Sequence, residues 1–315
     1  MTHRWGMTVP IEGVSLADQS GWFAELETAG YTDLWSSEAA SADAFTPLVV
    51  AAGRTTGVHL GTAIVPVFTR GPATIALSSA ALAELAPGRV TIGIGASSPV
   101  VVSAWNAQVY ERPVARVRDT LRFLRAVLEG QKVTHEYETF AIAGFRLGRV
   151  PAQPPSLMVA ALRPTMLHLA RDEADGAIVV FLGANDVGRV RAELGGKDLV
   201  ARIIVCPVDD AATVYRHAKP HLAAYLSVPA YEAYHRWLGR GDALEPVWSA
   251  WARGDRREAA EALPDEVVDN IVVWGTPDEC RRKITAYVDA GVTCPVLAIE
   301  PWGVDPMSAA KLLAP

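Results

Sequence analysis

Short apolar runs alternate with helical segments along most of the chain, and this alternation limits the possible folds more than any other feature. The runs are rich in β-branched residues, and the segments between them have helical periodicity. This order is typical of parallel βα units rather than of a β-sandwich or a helical bundle. We count eight runs, at residues 5–10, 33–37, 60–65, 89–95, 157–161, 177–182, 200–206 and 295–300. They predict a (β/α)8 TIM barrel formed by a single domain, residues 1–315.

Two segments interrupt the βα order and predict insertions. Residues 131–155 alternate in polarity and end in a Pro-rich stretch, which predicts a hairpin between the fourth and fifth strands. Residues 227–270 are helical in pattern and rich in aromatic residues. These could cover the mouth of the barrel or pack against its outside: Tyr231, Tyr234, Trp237, Trp248 and Trp251.

Charge and cysteine content limit the classes of function that this chain can have. The net charge is −6 and no Lys/Arg-rich run occurs, so we do not expect a nucleic-acid partner. We expect a small-molecule substrate instead. The three cysteines have no C-x-x-C spacing and are expected to be buried thiols. No apolar run approaches the length of a membrane span, so no membrane partner is expected and we predict a cytoplasmic protein.

A helix that begins near Pro113 has one apolar stripe, with Val117 and Leu121 among its members. The arginines of this helix are predicted to form a solvated face rather than an anion site: Arg116, Arg118, Arg122 and Arg125.

Ligands of βα barrels bind at the carboxyl ends of the strands, so the residues after each run are the candidates. Two such loops, on adjacent strands, consist largely of small residues. The fourth run ends at Gly95 and continues as Ala96, Ser97 and Ser98, whose N–H and hydroxyl groups could receive a phosphate. An equally good interpretation is that its glycines only satisfy strand packing. The fifth loop contains the residues Ala160, Ala161, Leu162 and Arg163 and opens a helix that favours an anion.

Glu38 is the one carboxylate at a strand end in the first half of the chain. It could orient a substrate or act in catalysis, but a structural role, accepting hydrogen bonds from the next loop, has slightly more weight. His59 and His168 are predicted to be structural. No metal-ligand spacing and no nucleophile motif occurs. A cofactor that supplies the chemistry fits this set of residues better than a hydrolase or a metalloenzyme does.

Several motifs, in this order, resemble the luciferase-like monooxygenase superfamily over nearly the whole chain. They are ETAGYTDLWSSE at 27–38, LGTA at 60–63, LAPGRV at 85–90 with GIG at 93–95, ADG at 174–176, GTP at 275–277 and AGV at 290–292. A second set resembles the subgroup that uses coenzyme F420: SSP at 97–99, WN at 105–106, RP at 112–113 and RVRD at 116–119.

The resemblance implies an oxidoreductase in which a deazaflavin or flavin ring lies beside a non-prolyl cis peptide at Ala63-Ile64. It assigns the family's phosphate contacts to residues 95–98 and 160–163, which are the loops already identified, and it implies a homodimer. Coenzyme F420 is the first choice of cofactor and FMN is the alternative.

Two departures from the family pattern bear on the reaction. The F420-dependent sugar and alcohol dehydrogenases have His after the acidic residue that corresponds to Glu38, whereas Ala39 stands here, and their Glu after the fourth strand is replaced by Ser97 or Ser98. We therefore expect reduction of an activated double bond rather than alcohol oxidation. The alternatives are an FMN-dependent monooxygenase and a non-catalytic barrel that binds a flavin.

Overall fold

The computed structural model describes residues 4–315, and eight parallel strands form a closed barrel within this range. The strands of the chain are β1 (Gly6–Thr8), β2 (Asp33–Ser36), β3 (His59–Pro66), β4 (Val90–Gly95), β5 (Val133–Glu136), β6 (Ala141–Phe145), β7 (Ser156–Ala160), β8 (Gly176–Val180), β9 (Asp198–Cys206), β10 (Val272–Trp274) and β11 (Cys294–Ile299). The barrel order is β1, β2, β3, β4, β7, β8, β9 and β11, and pairing of β11 with β1 closes it. The predicted barrel is confirmed.

Helices surround this barrel. They are α1 (Leu16–Gln19), α2 (Trp22–Ala29), α3 (Thr46–Ala52), α4 (Pro72–Leu85), α5 (Pro113–Leu128), α6 (Pro164–Glu173), α7 (Val187–Leu194), α8 (Ala211–Leu226), α9 (Pro229–Trp237), α10 (Gly241–Ala252), α11 (Arg256–Glu261), α12 (Asp265–Ile271), α13 (Pro277–Asp289) and α14 (Pro306–Leu312). A π-helical segment, Val100–Trp105, follows β4.

Strand β10 is not among the predicted runs. It pairs in parallel with the end of β9, where Val272 lies beside Ile204 and Trp274 beside Cys206. Strand β8 pairs with the first part of β9, so β8 and β10 contact different parts of the same strand. It is three residues long and follows α12 without a break, so its apolar residues continue a helical pattern and give no separate strand signal.

The strands bury one face against the helices and the other inside the barrel. A compact cluster fills the interior, and Trp35, Met158 and Ile178 are among its members. A Cβ at Gly93 would lie 2.2 Å from the Thr62 carbonyl oxygen, and one at Gly61 would lie 2.3 Å from the Trp35 ring. These two glycines are therefore required by packing inside the barrel, which is the interpretation that the sequence left open for Gly93.

Both insertions have the predicted secondary structure. Strands β5 and β6 pair antiparallel as a hairpin between β4 and β7. Residues 227–270 contain α9, α10, α11 and most of α12, which form a second hydrophobic core with α8 and β10. Trp248 is buried in this core and donates its indole N–H to the Leu226 carbonyl, 2.9 Å away.

Cys206, Cys280 and Cys294 are buried free thiols, as predicted. Among residues 4–315, no helix combines the length and the apolar character that crossing a bilayer requires. The same residues hold no cluster of three His, Cys, Asp or Glu side chains suited to a metal ion.

Candidate functional site

Three of the predicted cofactor-binding residues meet at the carboxyl end of the barrel. A Cβ placed on Gly95 would lie 3.0 Å from the Ala160 Cβ and 3.1 Å from the Ile64 Cγ1 atom. The ends of β3, β4 and β7 therefore pack closely against one another at the barrel mouth. The Ala63-Ile64 peptide bond is cis, as the resemblance implies, and the pairing of β3 with β4 shifts register between Thr62 and Val65 at this point.

The loop after β4 has the features of an anion site. Ser97 has φ of 60°, a left-handed conformation that few non-glycine residues adopt. Within residues 4–315, the N–H groups of Ser97 and Ser98 donate to no acceptor, so both are available to a ligand. The Tyr110 hydroxyl donates to the Ser97 carbonyl oxygen at 3.3 Å and thereby fixes the loop from outside.

The neighbouring loop after β7 adds positive charge. Arg163 is the N-cap of α6, is exposed and has no ion-pair partner among residues 4–315. The N–H groups of Leu162 and Arg163 are also without an acceptor in this range, whereas the Ala161 N–H donates to the Ile178 carbonyl. Unpaired N–H groups, a helix amino terminus and a guanidinium group together can hold a phosphate.

Glu38 is paired rather than free. Its carboxylate accepts hydrogen bonds from the Arg70 Nε atom at 2.8 and 3.0 Å and from the Ala44 N–H at 3.2 Å. The hydrogen bond from Arg70 to Glu38 raises the pKa of that guanidinium. The backbone N–H of Glu38 donates to the carbonyl oxygen of Ile64 at 3.2 Å. Ile64 is the second residue of the cis peptide. These contacts support the structural interpretation of Glu38, as a residue that fixes the end of β3.

The predicted solvated arginine face is wrong for Arg116. Its side chain is half-buried, donates to the Val67 carbonyl at 3.3 Å and to the Thr139 carbonyl at 3.2 Å, and lies over the Phe140 ring at 4.8 Å. Arg116 thus joins the hairpin to the loop after β3. Arg118, Arg122 and Arg125 form ion pairs with Glu138, Glu173 and Asp175 respectively. The pattern of one helix could not show these partners because they lie far away in sequence.

The two predicted structural histidines do lie away from the mouth. His59 begins β3 at the opposite end of the barrel, and its Nε2 atom is 2.7 Å from the Thr91 hydroxyl. Burial lowers the pKa of His59 to about 4. His168 pairs with Glu193 on the surface, with 2.6 Å between the two side chains.

Part of the second insertion reaches the barrel mouth, which the sequence left undecided. Phe181 directly follows β8, and its ring lies 5.1 Å from that of Tyr225 and 5.0 Å from that of Tyr231. His221 on α8 lies 5.0 Å from Tyr225 and 5.8 Å from Trp302, between ring centres. We call these five residues the aromatic wall. Trp248 is buried in the same hydrophobic core as Phe181 and Trp302.

Two charged residues at the mouth were missed from the sequence, Arg202 on β9 and Glu300 after β11. Arg202 is the one charge in the predicted run 200–206, and this was the available signal. Glu300 closes the last predicted run and is buried.

A groove of about 460 Å³ opens at the other end of the barrel, and Trp5, Thr32 and Val288 are among the residues that line it. Trp5 and Thr32 precede their strands, so this groove is at the amino-terminal end, where βα barrels do not carry active sites. The loops at the carboxyl end remain the candidate site.

Comparison with known proteins agrees with this architecture. The sequence profile described as luciferase-like monooxygenase matches residues 1–294. A Mycobacterium tuberculosis protein named as a coenzyme F420-dependent oxidoreductase is 28% identical, over 93% of this chain and 92% of its own. The 5,10-methylenetetrahydromethanopterin reductase of Methanolobus tindarius is 26% identical, over 91% of each chain. The structure of the coenzyme F420-dependent tetrahydromethanopterin reductase of Methanopyrus kandleri superimposes with a TM-score of 0.78 at 20% identity, over 100% of this chain and 98% of that one.

Proposed function

Because the chain belongs to the luciferase-like monooxygenase family, we propose that it is an oxidoreductase that uses coenzyme F420 and reduces an activated double bond of a small organic substrate. The observation that carries the proposal is the meeting of Ile64, Gly95 and Ala160 beside unpaired N–H groups of two loops. The closely packed ends of these strands form a surface against which a flat ring can lie, and the N–H groups with Arg163 suit the phosphate of the coenzyme.

The Mycobacterium tuberculosis relative supports F420 over FMN, since its name states coenzyme F420. In this role the reduced deazaflavin supplies a hydride. The protein's own residues bind the coenzyme, orient its ring and exclude water.

The direction of the reaction rests on Glu38 and Ala39. The Glu38 carboxylate is held by Arg70 and the Ala44 N–H, and no imidazole follows it. A base that could take a proton from an alcohol is therefore lacking at this strand end, whereas reduction of an activated double bond does not require one there.

The first experiment titrates the purified protein with oxidised F420 and, separately, with FMN, followed by fluorescence. We expect saturable binding of F420 at micromolar concentration or below and little binding of FMN. A preference for FMN, with oxygen uptake during turnover, would assign the protein to the flavin monooxygenases instead.

The second experiment follows oxidation of reduced F420 by enones, imines and nitroaromatic compounds, with secondary alcohols and oxidised F420 in the reverse assay. Turnover of at least one unsaturated class is expected. Activity only with alcohols would contradict the proposed direction, and tight F420 binding without any turnover would indicate a non-catalytic binding protein.

A further inference from the structure

Arg202 and Glu300 both face the interior of the barrel mouth. Side chains two residues apart in a strand lie on the same face. Val200 and Val296 belong to the interior cluster. Arg202 lies two residues after Val200, and Glu300 lies four residues after Val296, so both face the interior as well. The backbone N–H of Glu300 donates to the Val205 carbonyl at 2.9 Å, which holds this residue against the end of β9.

Neither charged side chain has a partner in the part of the chain that the structure describes. Glu300 is only 7% exposed, yet nothing there donates a hydrogen bond to its carboxyl group, and Arg202 is in no ion pair. The Glu300 oxygens are not among the fully buried side-chain atoms that lack a partner, so they remain accessible from the barrel mouth. A carboxyl group in a largely buried residue, accessible at the mouth and without a protein partner, is available to a ligand.

Burial and neighbouring charges shift the pKa values of the groups at this site. Burial raises the pKa of Glu300, and the charge of Glu12, in the loop after β1, raises it further, while Arg202 opposes this shift. Burial and the charge of Arg202 lower the pKa of His221. The site therefore offers one guanidinium group, one carboxyl group whose pKa is raised and one imidazole whose pKa is lowered.

The accessible members of the aromatic wall, His221, Tyr225 and Tyr231, set the shape of what can bind beside these groups, whereas Phe181 and Trp302 are buried in the second hydrophobic core. His221 links the two parts of the site, because the charge of Arg202 acts on it and its ring lies 5.8 Å from the Trp302 ring. Phe181 has φ of 55°, which is unusual for a bulky residue and turns the chain where β8 ends at this wall. Flat rings around a polar end fit a planar, conjugated molecule.

We propose that Arg202 and Glu300 bind the carbonyl end of a planar α,β-unsaturated carbonyl substrate against the aromatic wall, and that Glu300 donates the proton of the reaction. This proposal rests on the function proposed above. The guanidinium group binds the substrate oxygen, and the carboxyl group lies near the carbon beside the carbonyl.

The reaction balances with these groups. Reduced F420, when bound, would supply the hydride for the β-carbon. The electron pair of the C=C bond would then move toward the oxygen to give an enolate, whose charge Arg202 would stabilise. The α-carbon then takes the Glu300 proton and the C=O bond re-forms. Glu300 regains a proton from solvent, which balances the proton that the coenzyme releases on oxidation.

The experiment uses full-length protein and cinnamaldehyde as the probe, in four variants beside the wild type. Glu300→Gln removes the acid and Arg202→Gln removes the guanidinium group. Glu12→Gln removes the neighbouring charge, and Glu129→Gln is a matched control on an exposed residue at the far end of α5. Three quantities are measured: binding of oxidised F420, binding of cinnamaldehyde to the F420-loaded oxidised protein, and kcat/KM against pH.

We expect all variants to bind F420 within about twofold of the wild type. Glu300→Gln should lower kcat by about 100-fold or more, the range for loss of a general acid, and Arg202→Gln should weaken cinnamaldehyde binding about tenfold. In the wild type kcat/KM should fall as the pH rises through the pKa of Glu300. Glu12→Gln should move this fall to lower pH, and Glu300→Gln should abolish it.

Other ionisable groups lie around this site. They are Arg202 and Cys206 on β9, Glu12, and His217 and His221 on α8. Burial raises the pKa of Cys206 to about 11, well above that of Glu300. The pKa of His221 is lowered toward the raised pKa of Glu300, so it is the loss of the fall in Glu300→Gln that assigns the fall to Glu300.

Two results would overturn the proposal. One is wild-type protein that binds F420 but not cinnamaldehyde. The other is Glu300→Gln with unchanged kcat and an unchanged pH profile. Failure of F420 itself to bind is a different outcome, because it would refute the proposed function before Glu300 is tested.

Discussion

The pairing of Glu38 with Arg70 predicts that Glu38 stabilises the fold more than it contributes to the chemistry. The perturbation is a double-mutant cycle with Glu38→Gln, Arg70→Gln and both together. Glutamine at position 38 keeps an oxygen to accept from the Ala44 N–H and removes only the charge. Any loss of stability therefore measures the contribution of the ion pair rather than that of the hydrogen bond from Ala44.

The magnitude follows from geometry and burial. The Glu38 and Arg70 side chains are 16% and 22% exposed, and their closest N–O distance is 2.8 Å. Exposed pairs contribute about 0.2–1 kcal/mol, and removing one partner of a fully buried pair costs about 3–5 kcal/mol. The Glu38–Arg70 pair lies between these two limits. Each single substitution should therefore lower the free energy of unfolding by about 2 kcal/mol, and the coupling energy between the two residues should be about 1.5 kcal/mol.

The assay is urea unfolding followed by tryptophan fluorescence, with oxidised F420 binding measured in parallel. The control cycle uses Arg257 and Glu261, a pair whose side chains are 88% and 64% exposed, where no measurable coupling is expected. Coupling no larger than in this control would refute the reasoning. So would a Glu38→Gln variant of wild-type stability whose kcat falls 100-fold, since that result would make Glu38 catalytic.

Three further predictions concern stability. Gly188→Ala should raise the free energy of unfolding by about 0.5–1 kcal/mol, because Gly188 lies within α7 and an added Cβ meets nothing within 4 Å; a decrease in urea midpoint would contradict this. Gly61→Ala should lower it by about 1–3 kcal/mol or prevent folding, because the Cβ would meet the Trp35 ring, and unchanged stability would show that this ring can move. Burial lowers the pKa of His235 to about 3, so the neutral imidazole stabilises the fold fully above pH ~6.5 and less as the pH falls toward ~3. His235→Leu should therefore reduce the acid-induced loss measured by thermal unfolding, whereas the same change at the exposed His135 should not.

The predicted cofactor residues gain a shared location only from closure of the barrel. The sequence placed Gly95 and Ala160 at the ends of separate strands. In the structure, a Cβ added to Gly95 would lie 3.0 Å from the Cβ of Ala160. The sequence could not separate two roles for the glycines of β4. Distances across the barrel show that Gly93 is required by packing, whereas Gly95 lies at the mouth beside Ile64.

Local patterns by themselves determined the barrel, its two insertions and the loops that carry the site. Hydrophobic periodicity, helix caps and glycine positions act over a few residues and are readable in one dimension. Tertiary structure alone decided the partners of charged groups: Glu38 with Arg70, Arg116 with the Val67 and Thr139 carbonyls, and the absence of a partner for Glu300 among residues 4–315. The physical reason is that hydrogen bonds and ion pairs depend on distances between residues far apart in sequence. Whether a charge is buried, paired or open to a ligand is settled only when the strands close into a barrel.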